Sequence, residues 1–172
     1  MLREVVKSNM DGGAQWVKKM GKPHFGYKRH TVTDENRLVL AEETTAASES
    51  DIKHLETSLK KADLPQGIPV YANKDYDSAE NRKILRKMKL KSRIMHKGTR
   101  GKKITERQQR VNVAISKIRY RGERTLDFIR RWLLGGVARY VGPAKTHAQH
   151  TMEAMAYNLY QVPGIIVSNS LK

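Results

Sequence analysis

Strand-like and helical patterns alternate between residues 25 and 95, and this order constrains the fold more than any other feature of the sequence. Phe25, Tyr27 and Arg29 lie at alternate positions, and a turn-like segment at 34–36 (DEN) separates them from the run 37–41 (RLVLA). Alternation followed by a turn and a second short run is typical of two adjacent strands. The sequence therefore predicts a β-hairpin in this region.

Helices and strands are then expected in alternation. Ser50-Asp51 starts a segment in which apolar residues recur at helical spacing until Pro65 and Gly67, which are stop signals. A short apolar run at 68–72 predicts a buried strand, Ser78 is a good N-cap for a second helix, and 92–95 predicts another strand. The recurring residues of the first helix are Ile52, Leu55, Leu59 and Ala62.

The C-terminal half predicts two long helices. Thr105 and Gln108 have the spacing of a capping box, and helical periodicity continues to Trp132 before the Gly135-Gly136 pair. A last helix is predicted from about residue 145 to residue 160, ending before Pro163-Gly164. Its expected inward face consists of Ala148, Met152, Met155, Ala156 and Leu159. These elements predict one α/β domain over residues 1–172, with helices around a central sheet.

Positive charge is concentrated in one part of the chain. Lys and Arg number 34 against 17 Asp and Glu, which gives a formal net charge of +17. Much of it lies between residues 82 and 110, where a Gly-containing basic loop at 97–103 predicts contact with a phosphate backbone. The alternative interpretation is a solvated charged loop. The cations of this loop are Lys97, Arg100, Lys102 and Lys103.

Several classes of protein do not fit this composition. No run approaches the length of a membrane span, and the N-terminal Met1-Leu2-Arg3-Glu4 lacks the apolar region of a signal peptide. We therefore expect a cytoplasmic protein that does not bind membranes. The absence of cysteine excludes disulfides, thiol nucleophiles and thiolate zinc sites.

Two groups of polar residues are candidates for chemistry. Arg119, Glu123, Asp127 and Arg130 share about one face of the long helix, so carboxylates lie among guanidinium groups. The alternative there is a set of ordinary ion pairs on a solvated helix. The second group, Asn73, Asp75 and Asp77, follows the predicted strand 68–72, at the end of a strand where α/β sheets place ligands. The alternative is a polar turn.

The histidines and tryptophans suggest structural roles. His147 and His150 are three residues apart, a spacing that can chelate a metal, but no Cys or carboxylate motif accompanies them. We expect a surface or core role for both. Trp16 and Trp132 are expected in the core.

Several segments from Asp11 to the end of the chain match the pattern of one family in the right order. The segment 70–78 (VYANKDYDS) stands where that family usually reads Ala-Asp-Lys-Gly-Tyr, and Arg119-x-x-x-Glu123 with Arg130 is similar to its C-terminal signature. The further segments are 16–19, 24–30, 38–40, 51–55, 138–140 and 154–159. On these residues the chain resembles the insertion-sequence DDE transposases, specifically the group around insertion sequence five.

The resemblance implies an RNase H-like fold, a mixed sheet flanked by helices in which two aspartates and one helical glutamate bind two Mg²⁺ or Mn²⁺ ions. It implies DNA transposition, in which the metals activate water for strand cleavage and then a 3′-hydroxyl for strand transfer. The implied partners are double-stranded DNA at the transposon ends and another transposase chain, either a second copy or a full-length protein. Arg119, Arg130, Arg131 and the basic loop would bind the DNA ends.

Some positions depart from the family pattern. Glu123 matches the glutamate, whereas Asn73 stands at the second aspartate and keeps an oxygen without the charge. Asp75, which stands in place of a glycine, and Asp77 are weak substitutes for that aspartate as metal ligands. A shift of two residues along an extended segment moves a side chain by about 6 to 7 Å, and Mg²⁺ requires near-ideal octahedral geometry. Arg130 stands in place of a lysine, and Ser116 in place of a tyrosine.

The first aspartate is expected on a strand upstream of Trp16, before the first residue of this chain, and Asp11 is too close to Trp16 to replace it. The resemblance therefore predicts a sheet without its first strand and a chain that does not transpose DNA by itself. One alternative is a non-catalytic DNA-binding protein that regulates a full-length transposase. Another is a remnant that folds poorly because a sheet edge is exposed.

Overall fold

A computed structural model describes residues 11–19, 21–101 and 103–170 of the chain. The N-terminal residues 1–4, which bear on the signal peptide, and Lys102 of the basic loop lie outside these ranges. The strands are β1 (Gln15–Lys19), β2 (Lys22–Thr33), β3 (Val39–Ala46), β4 (Pro69–Ala72) and β5 (Lys91–Ile94). The helices are α1 (Leu55–Ala62), α2 (Ala79–Lys87), α3 (Glu106–Trp132) and α4 (Pro143–Ser170), and two 3₁₀ turns span Asp51–His54 and Lys74–Tyr76.

The predicted alternation of strands and helices is confirmed, but the described strands form two sheets and not one central mixed sheet. The first sheet is antiparallel with the order β1-β2-β3, and the second is the parallel pair β4-β5. Strands share a ladder only when their backbones lie about 4.8 Å apart. Here a side-chain contact links the two sheets, with 3.5 Å between His30 Nδ1 and the Tyr76 hydroxyl.

The predicted hairpin is confirmed as β2 and β3, with Tyr27 paired to Ala46. In its connecting turn, the Leu38 N–H donates to the Asp34 carboxylate at 2.8 Å. Arg37 adopts a left-handed backbone with φ of 71°, which is rare for a residue with a side chain. The turn is therefore a defined local structure.

An apolar cluster forms where α1 and α2 cover the β4-β5 pair. Leu59, Leu85 and Ile94 are almost completely buried there, and Leu59 lies on the face that the helical spacing predicts. The Ser78 hydroxyl caps α2 by accepting from the Asn81 N–H at 3.0 Å. Burial of each large aliphatic side chain contributes roughly 1.5–3 kcal/mol, so this cluster is a main source of stability for the second sheet.

The long helix α3 begins at the predicted capping box. The Gln108 N–H donates to the Thr105 hydroxyl at 3.3 Å, and the Thr105 N–H donates to Gln108 Oε1 at 2.9 Å. Ile115 and Ile129 are buried along its inner face. The helix ends at Trp132, as predicted from the periodicity.

The predicted end of the last helix is wrong, because α4 continues through Pro163 to Ser170. A proline inside a helix removes one N–H and leaves the carbonyl four residues earlier, that of Leu159, without its donor. Leu159 is exposed, so water can satisfy this carbonyl. The helix continues beyond Pro163 to Ser170 in spite of the lost hydrogen bond.

The predicted inward face of α4 is also wrong. Its members, Ala148, Met152, Met155, Ala156 and Leu159, are exposed. The buried positions are Thr146, Gln149, His150, Glu153, Ala154 and Tyr157. The reason is the surface that α4 meets, because the facing side of the first sheet carries Arg29, which pairs with Glu153 at 2.8 Å.

Trp16 and Trp132 are not core residues, contrary to expectation. Trp16 lies on the edge strand β1 and packs on Phe25, with 5.2 Å between ring centroids, yet most of its side chain is exposed. Trp132 is the last residue of α3 and is likewise exposed. Both residues lie at the ends of elements, beyond the layers that cover the core.

Within residues 11–19, 21–101 and 103–170, no helix is both long enough and apolar enough to cross a membrane.

Candidate nucleic-acid interface

Two of the predicted site residues directly follow β4. Asn73 is half-buried, and its side-chain oxygen accepts a hydrogen bond from the Asp75 N–H, which caps the 3₁₀ turn Lys74–Tyr76. Asp75 is exposed and lies 3.9 Å from the Lys97 ammonium group. The Asn73 oxygen therefore supports the local turn, and the Asp75 carboxylate faces a cation of the basic loop.

Asp77 has a structural role that its position after the strand did not indicate. Arg82 donates to Asp77 Oδ1 through Nε at 3.0 Å and through Nη2 at 2.8 Å. The other carboxylate oxygen accepts from the Lys97 N–H at 2.8 Å. Both oxygens are thus used to join α2 and the start of the basic loop to the end of β4.

The charged face of α3 lies beside this group. Arg119 pairs with Glu123 at 3.0 Å, and Arg130 lies 3.6 Å from Asp127, as the helical spacing predicts. Helix α3 contacts β4, and the Arg119 guanidinium also donates to the Met95 sulfur at 3.6 Å, directly after β5. Arg119 therefore lies at the same edge of the β4-β5 sheet as Asn73 and Asp75.

Tyr76 is partly buried near these charges. Burial and the nearby Asp51 carboxylate together raise the pKa of its hydroxyl to about 12, and the Arg119 charge acts in the opposite direction. A phenol held neutral in this way can donate or accept a hydrogen bond at neutral pH without adding charge.

The basic loop is fixed at its start by contacts that the sequence did not indicate. The His96 N–H donates to Asn112 Oδ1 at 2.7 Å, and Asn112 Nδ2 donates to the His96 carbonyl at 3.0 Å. These two bonds attach the loop to the first turns of α3. Lys97, Arg100 and Lys103 are exposed beyond that point.

Arg131 extends the exposed cations to the end of α3. Its guanidinium lies over the Trp132 ring, 5.9 Å from the centroid. Arg130 is also largely exposed despite its pair with Asp127. Both guanidinium groups can therefore contact an anionic partner without a structural rearrangement that first exposes them.

The described residues do not fit a pair of divalent ions. Two dications need several anionic ligands that converge. Within residues 11–19, 21–101 and 103–170, no group of three or more His, Cys, Asp or Glu side chains is placed to hold a metal ion. Glu123 pairs with Arg119, both Asp77 oxygens hold protein donors, and Asn73 carries no charge.

Asp11, the first carboxylate of the described residues, also has a structural role. Its oxygens accept hydrogen bonds from the Tyr27 hydroxyl at 2.8 Å and from the N–H groups of Gly13 and Gly142, each at 3.0 Å. The Gly142 N–H, in particular, lowers the pKa of this carboxyl. Asp11 thus ties the first sheet to the start of α4.

His147 and His150 have structural roles in the contact between α4 and the first sheet. Both ring Nδ1 atoms lie within hydrogen-bond distance of the Thr44 hydroxyl, at 3.2 Å for His147 and 2.7 Å for His150. Burial lowers the pKa of His150 to about 4, and the nearby Arg29 charge acts in the same direction. The expectation of a core role is confirmed for His150.

Comparisons with known proteins identify the class of this chain. A family model described as the transposase DDE domain matches residues 5–159. The chain therefore belongs to the DDE transposase family, as its motifs indicate. No solved structure matches it.

One curated relative is the transposase for insertion sequence element IS1106 of Neisseria meningitidis serogroup B. The two proteins are 40% identical over 149 residues, which cover 87% of this chain and 51% of the relative. The chain thus spans about half the length of that protein, and it is related to an insertion-sequence transposase.

Proposed function

We propose that this chain binds double-stranded DNA of a transposable element through the basic loop 97–103 and the adjacent face of α3. The observation that carries the proposal is the attachment of the loop to the candidate site. The Lys97 N–H binds Asp77, and the pair of hydrogen bonds between His96 and Asn112 holds the loop against α3. Exposed cations of the loop thus lie beside Arg119, at one edge of the β4-β5 sheet.

A salt titration of DNA binding tests this proposal. The variant Arg100→Gln/Lys103→Gln removes two loop charges, and Lys53→Gln/Lys61→Gln removes two exposed charges on the 3₁₀ turn Asp51–His54 and α1. Each lost phosphate contact lowers the dependence of log affinity on log salt by about 0.9. We expect a slope lower by about 2 for the loop variant and little change for the matched control.

The proposed contact is wrong if both variants bind a duplex as the parent chain does. It is also wrong if the affinity of the parent chain does not fall steeply with added salt, because phosphate contacts release counterions. Circular dichroism melts of both variants check that the fold is retained.

We also propose that the chain does not perform strand cleavage and transfer by itself. Asn73 lacks the charge that the family's second aspartate supplies, and Asp77 is held by Arg82 and Lys97. We propose that the two sheets belong to one RNase H-like fold. The group around insertion sequence five remains the proposed placement within the family.

A nicking assay on supercoiled plasmid with Mg²⁺ or Mn²⁺ tests the lack of activity. We compare the parent chain, Asn73→Asp and Glu123→Ala, and we expect none of them to nick although all three fold. Nicking by the parent chain that Glu123→Ala abolishes would contradict the proposal, because it would show a complete site built on Glu123.

A further inference from the structure

A positively charged cavity lies on another side of α3, away from the Arg119–Glu123 pair. It is open to solvent and has a volume of about 640 Å³ between α3, the C-terminal part of α4 and the turn that joins β2 to β3. Arg121 follows Arg119 by two residues, which places it about 200° further round the helix. The cavity is therefore separate from the interface described above.

The charges around this cavity are strongly unbalanced. Its cations are Arg37 from the turn and Lys117, Arg121 and Arg124 from α3, and Glu35 is its one acidic neighbour. Lys117 and Arg121 are four residues apart on the helix, a spacing at which like charges repel. An anion bound between them removes that repulsion.

The cavity cations differ from three other arginines of the same helix, which form ion pairs. Outside the cavity, Arg110 lies 3.6 Å from Glu106, Arg119 lies 3.0 Å from Glu123 and Arg130 lies 3.6 Å from Asp127. Among the residues that the structure describes, no carboxylate lies within salt-bridge distance of any of the four cavity cations. Among the described residues of α3, Arg107 and Arg131 also lack a carboxylate partner, but only the cavity brings several unpaired cations of the helix together with Arg37 of the turn.

The wall of the cavity is held in place by buried hydrogen bonds. Thr125 is fully buried, and its hydroxyl donates to the Arg37 carbonyl at 3.1 Å and lies 3.0 Å from the Tyr157 hydroxyl. These bonds join the turn, α3 and α4 at one point. The backbone at Arg37 is therefore fixed before an anion binds, so the turn does not have to be ordered on binding.

The length of the cationic row indicates the kind of anion. Lys117 and Arg124 are seven residues apart, which corresponds to about 10.5 Å along a helix with a rise of 1.5 Å per residue. One strand of duplex DNA carries a phosphate about every 3.4 Å along its axis. The row thus spans about three successive phosphates, and Gln161 and Asn169 of α4 add amide donors opposite it.

We propose that this cavity is a second binding site for the phosphate backbone of duplex DNA. The inference rests on the proposed DNA contact and extends it, because one chain would then hold two DNA segments on different sides of α3. The basic loop binds one duplex and the cavity binds another. A protein that joins separate DNA segments needs such an arrangement.

Stoichiometry of DNA binding tests the inference with the full chain and a short labelled duplex at low salt. The cavity variant Arg121→Gln/Arg124→Gln removes two exposed charges, and Lys53→Gln/Lys61→Gln is again the charge-matched control. Sedimentation is expected to show two duplexes bound to the parent chain and to the control. One duplex is expected on the cavity variant, with an unchanged unfolding midpoint.

The outcomes separate this inference from the proposed function. If the cavity variant still binds two duplexes as the control does, the inference is wrong while the loop contact stands. If Arg100→Gln/Lys103→Gln has no effect but the cavity variant loses a duplex, the loop contact is wrong and the cavity site stands. If inorganic pyrophosphate displaces the second duplex at an equal concentration of phosphate groups, the site recognises free anions, and the inference is overturned.

Discussion

The two sheets of this protein are covered in opposite ways. Helices α1 and α2 bury aliphatic side chains such as Leu59 and Leu85 against the β4-β5 pair. Helix α4 instead buries Glu153 against Arg29 and Glu42 of the first sheet, and all three side chains are at most about a tenth exposed. The β4-β5 pair is therefore covered by an aliphatic cluster, whereas the contact of α4 with the first sheet combines a buried charge network with a small apolar cluster of Ala154, Tyr157 and Val39.

The two regions differ in whether hydrophobic periodicity correctly predicts the buried face of a helix. In α2, the apolar residue Leu85 is fully buried, because the facing surface is apolar too. In α4, the apolar face that the periodicity predicted is exposed, because the facing surface carries a buried guanidinium that needs acceptors. A charge without a partner costs more than the burial of one aliphatic side chain contributes.

The largest expected effect follows from removal of the central cation. Arg29→Met leaves Glu42 and Glu153 buried without their partner, and the loss of a buried partner costs about 3–5 kcal/mol. Urea denaturation measures the loss in the free energy of unfolding. As a control, Arg29→Met/Glu42→Leu/Glu153→Met removes all three charges and is expected to recover most of the stability. A loss below about 1 kcal/mol for the single variant would show that the charges do not hold α4 in place.

Leu85→Ala tests how much the apolar cluster between α1, α2 and the β4-β5 pair contributes to stability. Leu85 is fully buried, so its truncation removes transfer free energy and leaves a cavity, at a cost of about 2–5 kcal/mol. Leu40→Ala, at a half-exposed position of β3, is the matched control and is expected to cost much less. Equal losses for the two variants, measured by urea denaturation, would mean that the cluster around Leu85 is not close-packed.

The free energy of unfolding is expected to fall at acidic pH because of the buried histidines of the first sheet and α4. The lowered pKa of His150, about 4, means that the unfolded chain binds a proton more readily than the folded chain, so stability falls as pH decreases from about 6.5 to about 4. Burial lowers the pKa of His30 as well, so both histidines act in the same direction. Burial raises the pKa of Glu42, which opposes them at low pH.

Urea denaturation at pH 7 and at pH 5 measures this effect for the parent chain and for His150→Gln. We expect the parent chain to lose roughly 1–2 kcal/mol more than the variant between these two pH values. An identical pH dependence for both proteins would assign the effect to other groups.

The smallest effect is expected on the exposed apolar face of α4. Met155→Gln and Leu159→Gln should each change the free energy of unfolding by less than about 0.5 kcal/mol, because both side chains are already exposed. On the buried face, Tyr157→Phe removes the hydrogen bond to Thr125 and is expected to cost about 1 kcal/mol. The reverse order would show that the apolar face of α4 is buried after all.

Local signals predicted many elements correctly. The hairpin, the Ser78 cap and the capping box at Thr105 each depend on residues close in sequence, and all three are present. The spacing of Arg119 and Glu123 likewise predicted their proximity. These features require only the geometry of one element and its ends.

Other features depended on residues far apart in the chain. The role of Asp77 is set by Arg82 and by the backbone of Lys97, and the start of the basic loop is set by Asn112. No periodicity reports such pairs, because each partner is an ordinary polar residue in its own segment. The separation of the strands into two sheets is a long-range property of the same kind.

The sequence by itself determined the order of the elements, the concentration of positive charge and the membership in the DDE transposase family. Only the tertiary structure decided which face of α4 is buried and which cations of α3 lack a carboxylate partner. The physical reason is distance along the chain. Arg29 and Glu153 are 124 residues apart and meet only after folding, and a residue pattern within one helix carries no information about the surface that the helix will meet.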